Sequence, residues 1–265
     1  MNVINKEYQQ LEEQIQVLSE KWSLTIGNVT LTKPEALSAI QHYPIIPQLG
    51  QSVEIEKYES FIIDLLTLLK ESQPALLADF EKLEQVITQN ILEQWYKEAI
   101  AVNNFYFEKF ARDNQIAEWV PFFVAEHAVR PFLKKISEEI KEVLEKAEHT
   151  GSCPACGEAP RIAIINKKGK KEITCPRCEY AWEVKKIKCA HCGNEEPGKI
   201  EIIKIEKEDS AEVHVCSECM GYTKVIDVRK KIKQEPIALL DITSIHLDFI
   251  AQENGYGVPE KKNVN

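Results

Sequence analysis

The sequence predicts an α+β protein: an N-terminal α-helical bundle, then tandem four-cysteine zinc-ribbon modules, then a C-terminal helix. Three observations carry this. All eight cysteines fall after residue 150, and every one belongs to a Cys-x-x-Cys pair. Apolar residues through the first 150 positions recur at three and four, the spacing of buried helix faces. Between the cysteine pairs run short β-branched segments suited to strands. The predicted boundaries are 1–150 for the helical domain, 151–187 and 188–234 for the two ribbons, and 235–265 for the terminal helix and a disordered tail.

In the helical part, Tyr8, Leu11, Ile15, Leu18 and Trp22 form one stripe over Glu7 to Trp22. Pro34 is placed to open a short helix through Ala36, Leu37 and Ile40, and Tyr43-Pro44-Ile45-Ile46-Pro47 should follow as an extended break. Tyr58 to Leu69 is apolar on most sides, as a central helix would be. After Ser72-Gln73-Pro74 the pattern predicts a long amphipathic helix from Ala75 to about Ala101. Further helices are expected through Phe105 to Phe110 and from Trp119 to Ala147, a bundle of about six. Glu126, His127 and Arg130 lie in an apolar setting between Pro121 and Pro131. A satisfied core histidine and an ion-paired arginine explain them more simply than a docking cleft does.

The cysteines carry the chemistry. Cys153/Cys156 and Cys175/Cys178 are separated by 18 residues, Cys189/Cys192 and Cys216/Cys219 by 23. Two residues between cysteines let one tight turn aim both sulfurs at an ion about 2.3 Å away, and two such knuckles complete a tetrahedron. Gly157 and Gly193 follow their knuckles and supply left-handed backbone, which would let the Gly157 amide point toward a thiolate. Sequential pairing is simplest: Cys153, Cys156, Cys175 and Cys178 on one ion, Cys189, Cys192, Cys216 and Cys219 on a second. Interleaved pairing is the alternative. His191 and His214 are expected to be exposed or structural, because each site already has four thiolates. Tetrahedral sulfur suits zinc and iron alike.

Strands are predicted at Arg161–Ile165 and Glu172–Thr174 around the basic tip 167–171, and at 181–187, 199–205, 212–215 and 222–228. Helical spacing returns from Ile237 to Ile250. Residues 1–150 hold 14 Lys+Arg against 24 Asp+Glu, a net charge of −10, and residues 151–265 a net of +1. Such acidity argues against non-specific binding to phosphate backbones. The N-terminus shows no apolar signal segment and no run long enough to span a membrane, so reduced thiols and a cytoplasmic location are expected. Nucleophile–histidine pairs, glycine-rich phosphate loops and His-Glu-x-x-His motifs are absent from the sequence, so no catalytic constellation is read from it.

These motifs resemble the formate dehydrogenase accessory protein family, FdhE, over nearly the whole chain. The resemblance rests on Cys153-Pro154-Ala155-Cys156-Gly157, Cys175-Pro176-Arg177-Cys178 with Trp182, Cys189-Ala190-His191-Cys192-Gly193 and Cys216-Ser217-Glu218-Cys219-Met220-Gly221-Tyr222-Thr223-Lys224. Asp241 to Asp248 with Glu253-Asn254-Gly255-Tyr256 resembles the family's ending, and Ala128 to Leu133 is a fainter likeness. Where arginine is expected before the third knuckle, this chain has Lys186, a point cation in place of a bidentate one. The resemblance implies a cytoplasmic maturation chaperone rather than an enzyme, one that binds the catalytic subunit of formate dehydrogenase, with rubredoxin-like sites able to hold iron. Two other classes compete with it. A tandem zinc-ribbon nucleic-acid binder would use the lysines of 167–171 and Arg229 to Lys233. A rubredoxin-like electron carrier would not obviously need 150 residues of helix.

Overall fold

The computed structural model describes residues 6–27, 43–49, 54–146, 150–206, 208–231 and 235–257. The chain divides into two compact units, one of residues 10–140 and one of residues 141–265 with the first nine residues. The predicted helix at Pro34 to Ile40 and most of the predicted tail lie outside the described residues.

The helical unit is built around α6 (Val120–Glu139), which packs against α2 (Ile55–Ser72), α3 (Leu77–Val86), α4 (Gln89–Ile100) and α5 (Asn104–Asn114). From α2, Tyr58, Phe61, Ile62, Leu65, Leu66 and Leu69 are buried while Ile63 is exposed, so this helix is one-faced rather than central on all sides. Helix α1 (Lys6–Ser23) buries Leu11, Ile15 and Trp22 of the predicted stripe. The Trp22 ring stacks on Phe61 at 4.8 Å and its Nε1 donates to Asp64 Oδ2 at 2.9 Å, so the indole's polar edge is satisfied inside the core. Tyr58, Tyr96 and Phe132 meet edge to face near α6.

Two expectations change here. The single helix from Ala75 to Ala101 is divided: Pro74–Leu76 is a 3-10 turn, α3 stops at Val86, and Thr88 in extended conformation caps α4 by accepting from the Ile91 amide. The β-branched run Val86-Ile87-Thr88 is poor helix material and its last hydroxyl is the cap, so two helices win. The Tyr43–Pro47 segment forms a 3-10 turn at Ile46–Gln48 instead of an extended break. In α6, Pro121 sits in the first turn, where its missing N–H costs nothing, whereas Pro131 is internal and buried.

The second unit opens with the short α7 (Lys141–Glu145). A six-stranded sheet of order β3-β2-β1-β6-β5-β4 follows. Its strands are β1 (Ile162–Ile165), β2 (Lys171–Thr174), β3 (Ala181–Val184), β4 (Ile200–Lys204), β5 (Ala211–Cys216) and β6 (Tyr222–Asp227). Each cysteine quartet brings its own antiparallel three-strand meander, and the two meanders join where β1 pairs parallel to β6, Ile162 opposite Lys224 and Ile165 opposite Asp227. Both ribbons thus share one sheet.

Alternation of side chains gives this sheet two packed faces. On one, Ile162, Val213, Val215, Tyr222 and Ile226 meet Leu240, Leu247 and Ala251 of α8 (Ile237–Thr243) and α9 (Ile245–Glu253). On the other lie Ala163, Ile173, Ala190 and Val225 with Trp182 and Val184. The terminal helix is divided at Ser244, whose hydroxyl donates to Leu240 O at 2.7 Å. Lys224, 1% exposed, occupies a core slot on the helix-covered face. Its ammonium donates to Asp241 O at 2.7 Å and Asp248 Oδ2 at 2.8 Å, fastening both helices to β6. Asp241 Oδ1 is also 2.7 Å from Nζ but off the hydrogen-bonding axis, so that contact is ionic.

Candidate metal centres

All four knuckles have the same backbone. The amide four residues after the first cysteine donates to that cysteine's carbonyl: Gly157 to Cys153 at 2.8 Å, Glu179 to Cys175 at 2.9 Å, Gly193 to Cys189 at 3.1 Å and Met220 to Cys216 at 2.9 Å. The first cysteine's own amide donates onward to Glu158, Tyr180, Asn194 or Gly221. Each closing residue has positive φ, 85° at Gly157, 58° at Glu179, 76° at Gly193 and 58° at Met220. Glycine takes this conformation freely; Glu179 and Met220 adopt it at a cost of roughly 1–2 kcal/mol. The Gly157 amide therefore binds a carbonyl and not a thiolate. Amides of Cys178 and Cys192 instead approach Cys175 Sγ and Cys189 Sγ, both at 3.5 Å.

The grouping is sequential. Sulfurs of Cys153, Cys156, Cys175 and Cys178 lie within 4.8 Å of one another, as do those of Cys189, Cys192, Cys216 and Cys219. Contacts of 3.6 Å for Cys153–Cys178, 3.5 Å for Cys156–Cys175, 3.6 Å for Cys189–Cys219 and 3.8 Å for Cys192–Cys216 are far too long for disulfides. They match a tetrahedron of metal–sulfur bonds near 2.3 Å, whose edge is about 3.8 Å. Each quartet could hold one metal ion.

The thiol electrostatics fit this as well. Hydrogen bonds from Cys153, Cys175 and Cys178, with the Arg177 guanidinium nearby, hold Cys156 well below the usual thiol range. Burial pushes Cys175 up, and bonds from neighbouring sulfurs push Cys178 up. One thiolate is tolerated in such a pocket; four need a cation among them.

His191 and His214 lie beside the second quartet and are spent on other partners. His191 Nε2 donates to Tyr222 O at 2.7 Å. His214 is buried, its Nε2 at 2.7 Å from Glu212 and its Nδ1 at 3.1 Å from Lys171 Nζ. Lys171 corrects the predicted basic tip, because it lies in β2 with 3% exposure and burial lowers its pKa to about 8. Of the other tip residues, Lys170 pairs with Glu183 and Lys167 donates to the carbonyls of Arg229 and Lys231. Arg229 pairs with Asp227 and Lys231 with Glu235.

Within the helical unit, Arg130 Nε lies 3.3 Å from Glu126 Oε1, and the His127 ring packs on Phe123 at 4.3 Å. These are the paired arginine and core histidine expected from their setting. Sequence reading gave no role to Arg161, which pairs with Glu158 and Asp241, and placed Lys224 only in the fourth-knuckle resemblance, without its two aspartates. The available signal was Lys224 alternating with Tyr222 and Ile226 in a strand, a charge in an inward slot.

A helical unit followed by two cysteine-knuckle ribbons joined in one sheet defines a protein with two four-cysteine clusters, each able to hold one metal ion. Residues 187–264 match the family model described as FdhE, C-terminal domain. The chain is 29% identical over 164 residues to "Protein FdhE homolog" of Aquifex aeolicus, covering 60% of this chain and 56% of that protein. It is 28% identical over 202 residues to "Protein FdhE" of Escherichia coli, covering 72% and 61%. In each case the match spans less than two thirds of the curated relative's length. The crystal structure of the FdhE protein from Pseudomonas aeruginosa has the same fold, with a TM-score of 0.67 at 20% identity over 96% of this chain and 91% of that one. The chain is thus similar to FdhE proteins, with the match to the C-terminal domain confined to residues 187–264. Among the described residues, no helix is long and apolar enough to cross a membrane.

Proposed function

We propose that this protein is a cytoplasmic maturation factor for a formate dehydrogenase, one that binds the catalytic subunit during assembly and is not itself an enzyme. The observation that carries the reading is the pair of sequential thiol quartets, the second of them within the residues that match the FdhE C-terminal domain. In this reading Cys153, Cys156, Cys175 and Cys178 hold one zinc or iron ion, and Cys189, Cys192, Cys216 and Cys219 hold the other. Zinc would contribute folding energy without redox chemistry; iron would add a one-electron couple. The chain's own residues do the rest. The knuckle turns aim the sulfurs, Arg177 offsets charge at the first centre, and Lys224 with Arg161 holds the terminal helices against the sheet. We assign residues 1–150 to a helical domain that offers the larger client surface, 151–187 and 188–234 to the ribbons, and 235–265 to the terminal segment.

Pairing of Lys170, Arg229 and Lys231 with carboxylates and of Lys167 with backbone carbonyls supports this reading over a nucleic-acid binder, because these four cations are already engaged. The test is affinity capture of the tagged protein from its own anaerobic lysate at moderate salt. Recovery of a formate dehydrogenase catalytic subunit, lost in the Cys189→Ser/Cys192→Ser variant whose helical signal is intact, is the expected result. Recovery of ribosomal or nucleic-acid complexes without that subunit would overturn the proposal.

A further inference from the structure

The two quartets agree in sulfur geometry and differ in access. Cys153, Cys156, Cys175 and Cys178 are all buried. In the second quartet Cys189 and Cys216 are buried, Cys219 is half-buried and Cys192 is exposed. Cys156 and Cys192 hold the same place, second in the leading knuckle of each ribbon, yet Cys156 is only 4% exposed.

Sequence differences accompany this contrast. Within the first knuckle Pro154 and Ala155 are both buried. The third knuckle has His191 where the first has Ala155, and its ring is drawn back to the Tyr222 carbonyl at 2.7 Å. On the facing knuckle Ser217 and Glu218 are exposed, and Met220 is 46% exposed. Solvent therefore reaches the second quartet at Cys192.

Access controls exchange at a tetrathiolate centre. A d10 ion such as zinc has no ligand-field barrier, so a competing ligand displaces a thiolate once it can approach the ion, and electrophiles react with whichever sulfur they reach. We infer that the second quartet is the exchangeable centre of this protein, where soft divalent cations enter and leave and where Cys192 is the site of thiol modification, while the first quartet is closed. This rests on the reading that both quartets ligate metal. With a maleimide, the Cys192 sulfur forms a C–S bond to one alkene carbon. The π pair moves to the other carbon, which takes a proton from water, and a neutral thioether replaces the thiolate. A thioether is a far poorer ligand, so the ion is released.

The test uses the full chain loaded with zinc and counted by native mass spectrometry. The protein is exposed to N-ethylmaleimide in the presence of a colorimetric zinc chelator, release is followed in time, and peptides are mapped at half-release. The expected result is two ions at saturation, one leaving at least an order of magnitude faster than the other, with Cys192 labelled first. Two ions that leave in a single phase, or first labelling within Cys153 to Cys178, would overturn this inference alone. Fewer than two ions at saturating zinc would overturn the ligation reading beneath it, and the inference with it.

Discussion

Replacing Lys224 with methionine isolates the charge that fastens the terminal helices to the sheet. Methionine keeps most of the length and apolar body of the side chain and removes the ammonium, which is buried against Asp241 O, Asp241 Oδ1 and Asp248 Oδ2. Breaking a buried ion pair from one side costs about 3–5 kcal/mol, because the remaining charge stays desolvated. Here both carboxylates keep another partner, Asp241 through Arg161 at 2.6 Å and Asp248 through the Tyr222 hydroxyl at 2.8 Å. The lower end, about 3 kcal/mol, is therefore expected. Hydrogen exchange read by mass spectrometry suits a chain of two compact units, since it reports opening peptide by peptide without assuming one global transition. Three kcal/mol corresponds to roughly hundredfold faster exchange in the peptides of β5, β6 and α9, with α2 to α6 unchanged. Adding Asp248→Asn should cost less than the sum of the two single changes. An increase below about fivefold, near 1 kcal/mol, would refute the claim that this charge holds the helices in place.

Chelating the metal should abolish protection across the six strands while the far-UV helical signal of the first unit persists; a loss of both together would contradict independent stability of the helical unit. His127 is held well below the usual imidazole range by burial and then by the Arg130 charge, so it folds neutral. Its contribution is complete above its unfolded value, near pH 6.5, and is lost as pH falls below that at up to about 1.4 kcal/mol per unit. Exchange of α6 peptides at pH 7.5 and pH 5.5 should show this slope, and His127→Phe should flatten it. Gly193→Ala and Gly169→Ala both place a Cβ at positive φ, but the first meets Thr150 Cγ2 at 2.8 Å and the second, in the β1–β2 turn, meets nothing within 4 Å. The first should weaken zinc binding at the second quartet and the second leave it unchanged, as measured by competition with a chelator.

Local chemistry was legible in the sequence, and long-range pairing was not. The knuckles declare themselves because a turn of six residues contains its own hydrogen bonds and its own glycine, or a left-handed Glu179 or Met220 in its place. Helices were visible from periodicity, but periodicity does not register a cap: Thr88 and Ser244 each end a pattern that the apolar spacing alone would continue. Lys171 read as part of a solvated tip, and its burial beside His214 depends on β5, contributed from more than 40 positions further along the chain. The fusion of the ribbons had no local signature, because Ile162 meets Lys224 only after the second ribbon is complete.

That parallel seam imposes an order of events during synthesis. The first ribbon's knuckles, hairpin and thiols all precede residue 188, so its cysteines can gather as soon as that stretch leaves the ribosome. Its leading strand β1 has no second neighbour until β6, the last strand made, emerges. Until then the newborn sheet has an open backbone edge at β1, a surface that pairs readily with other chains. Translation past Asp227 closes it, so the fourth knuckle and the strand that follows it seal the first ribbon as well as finish the second.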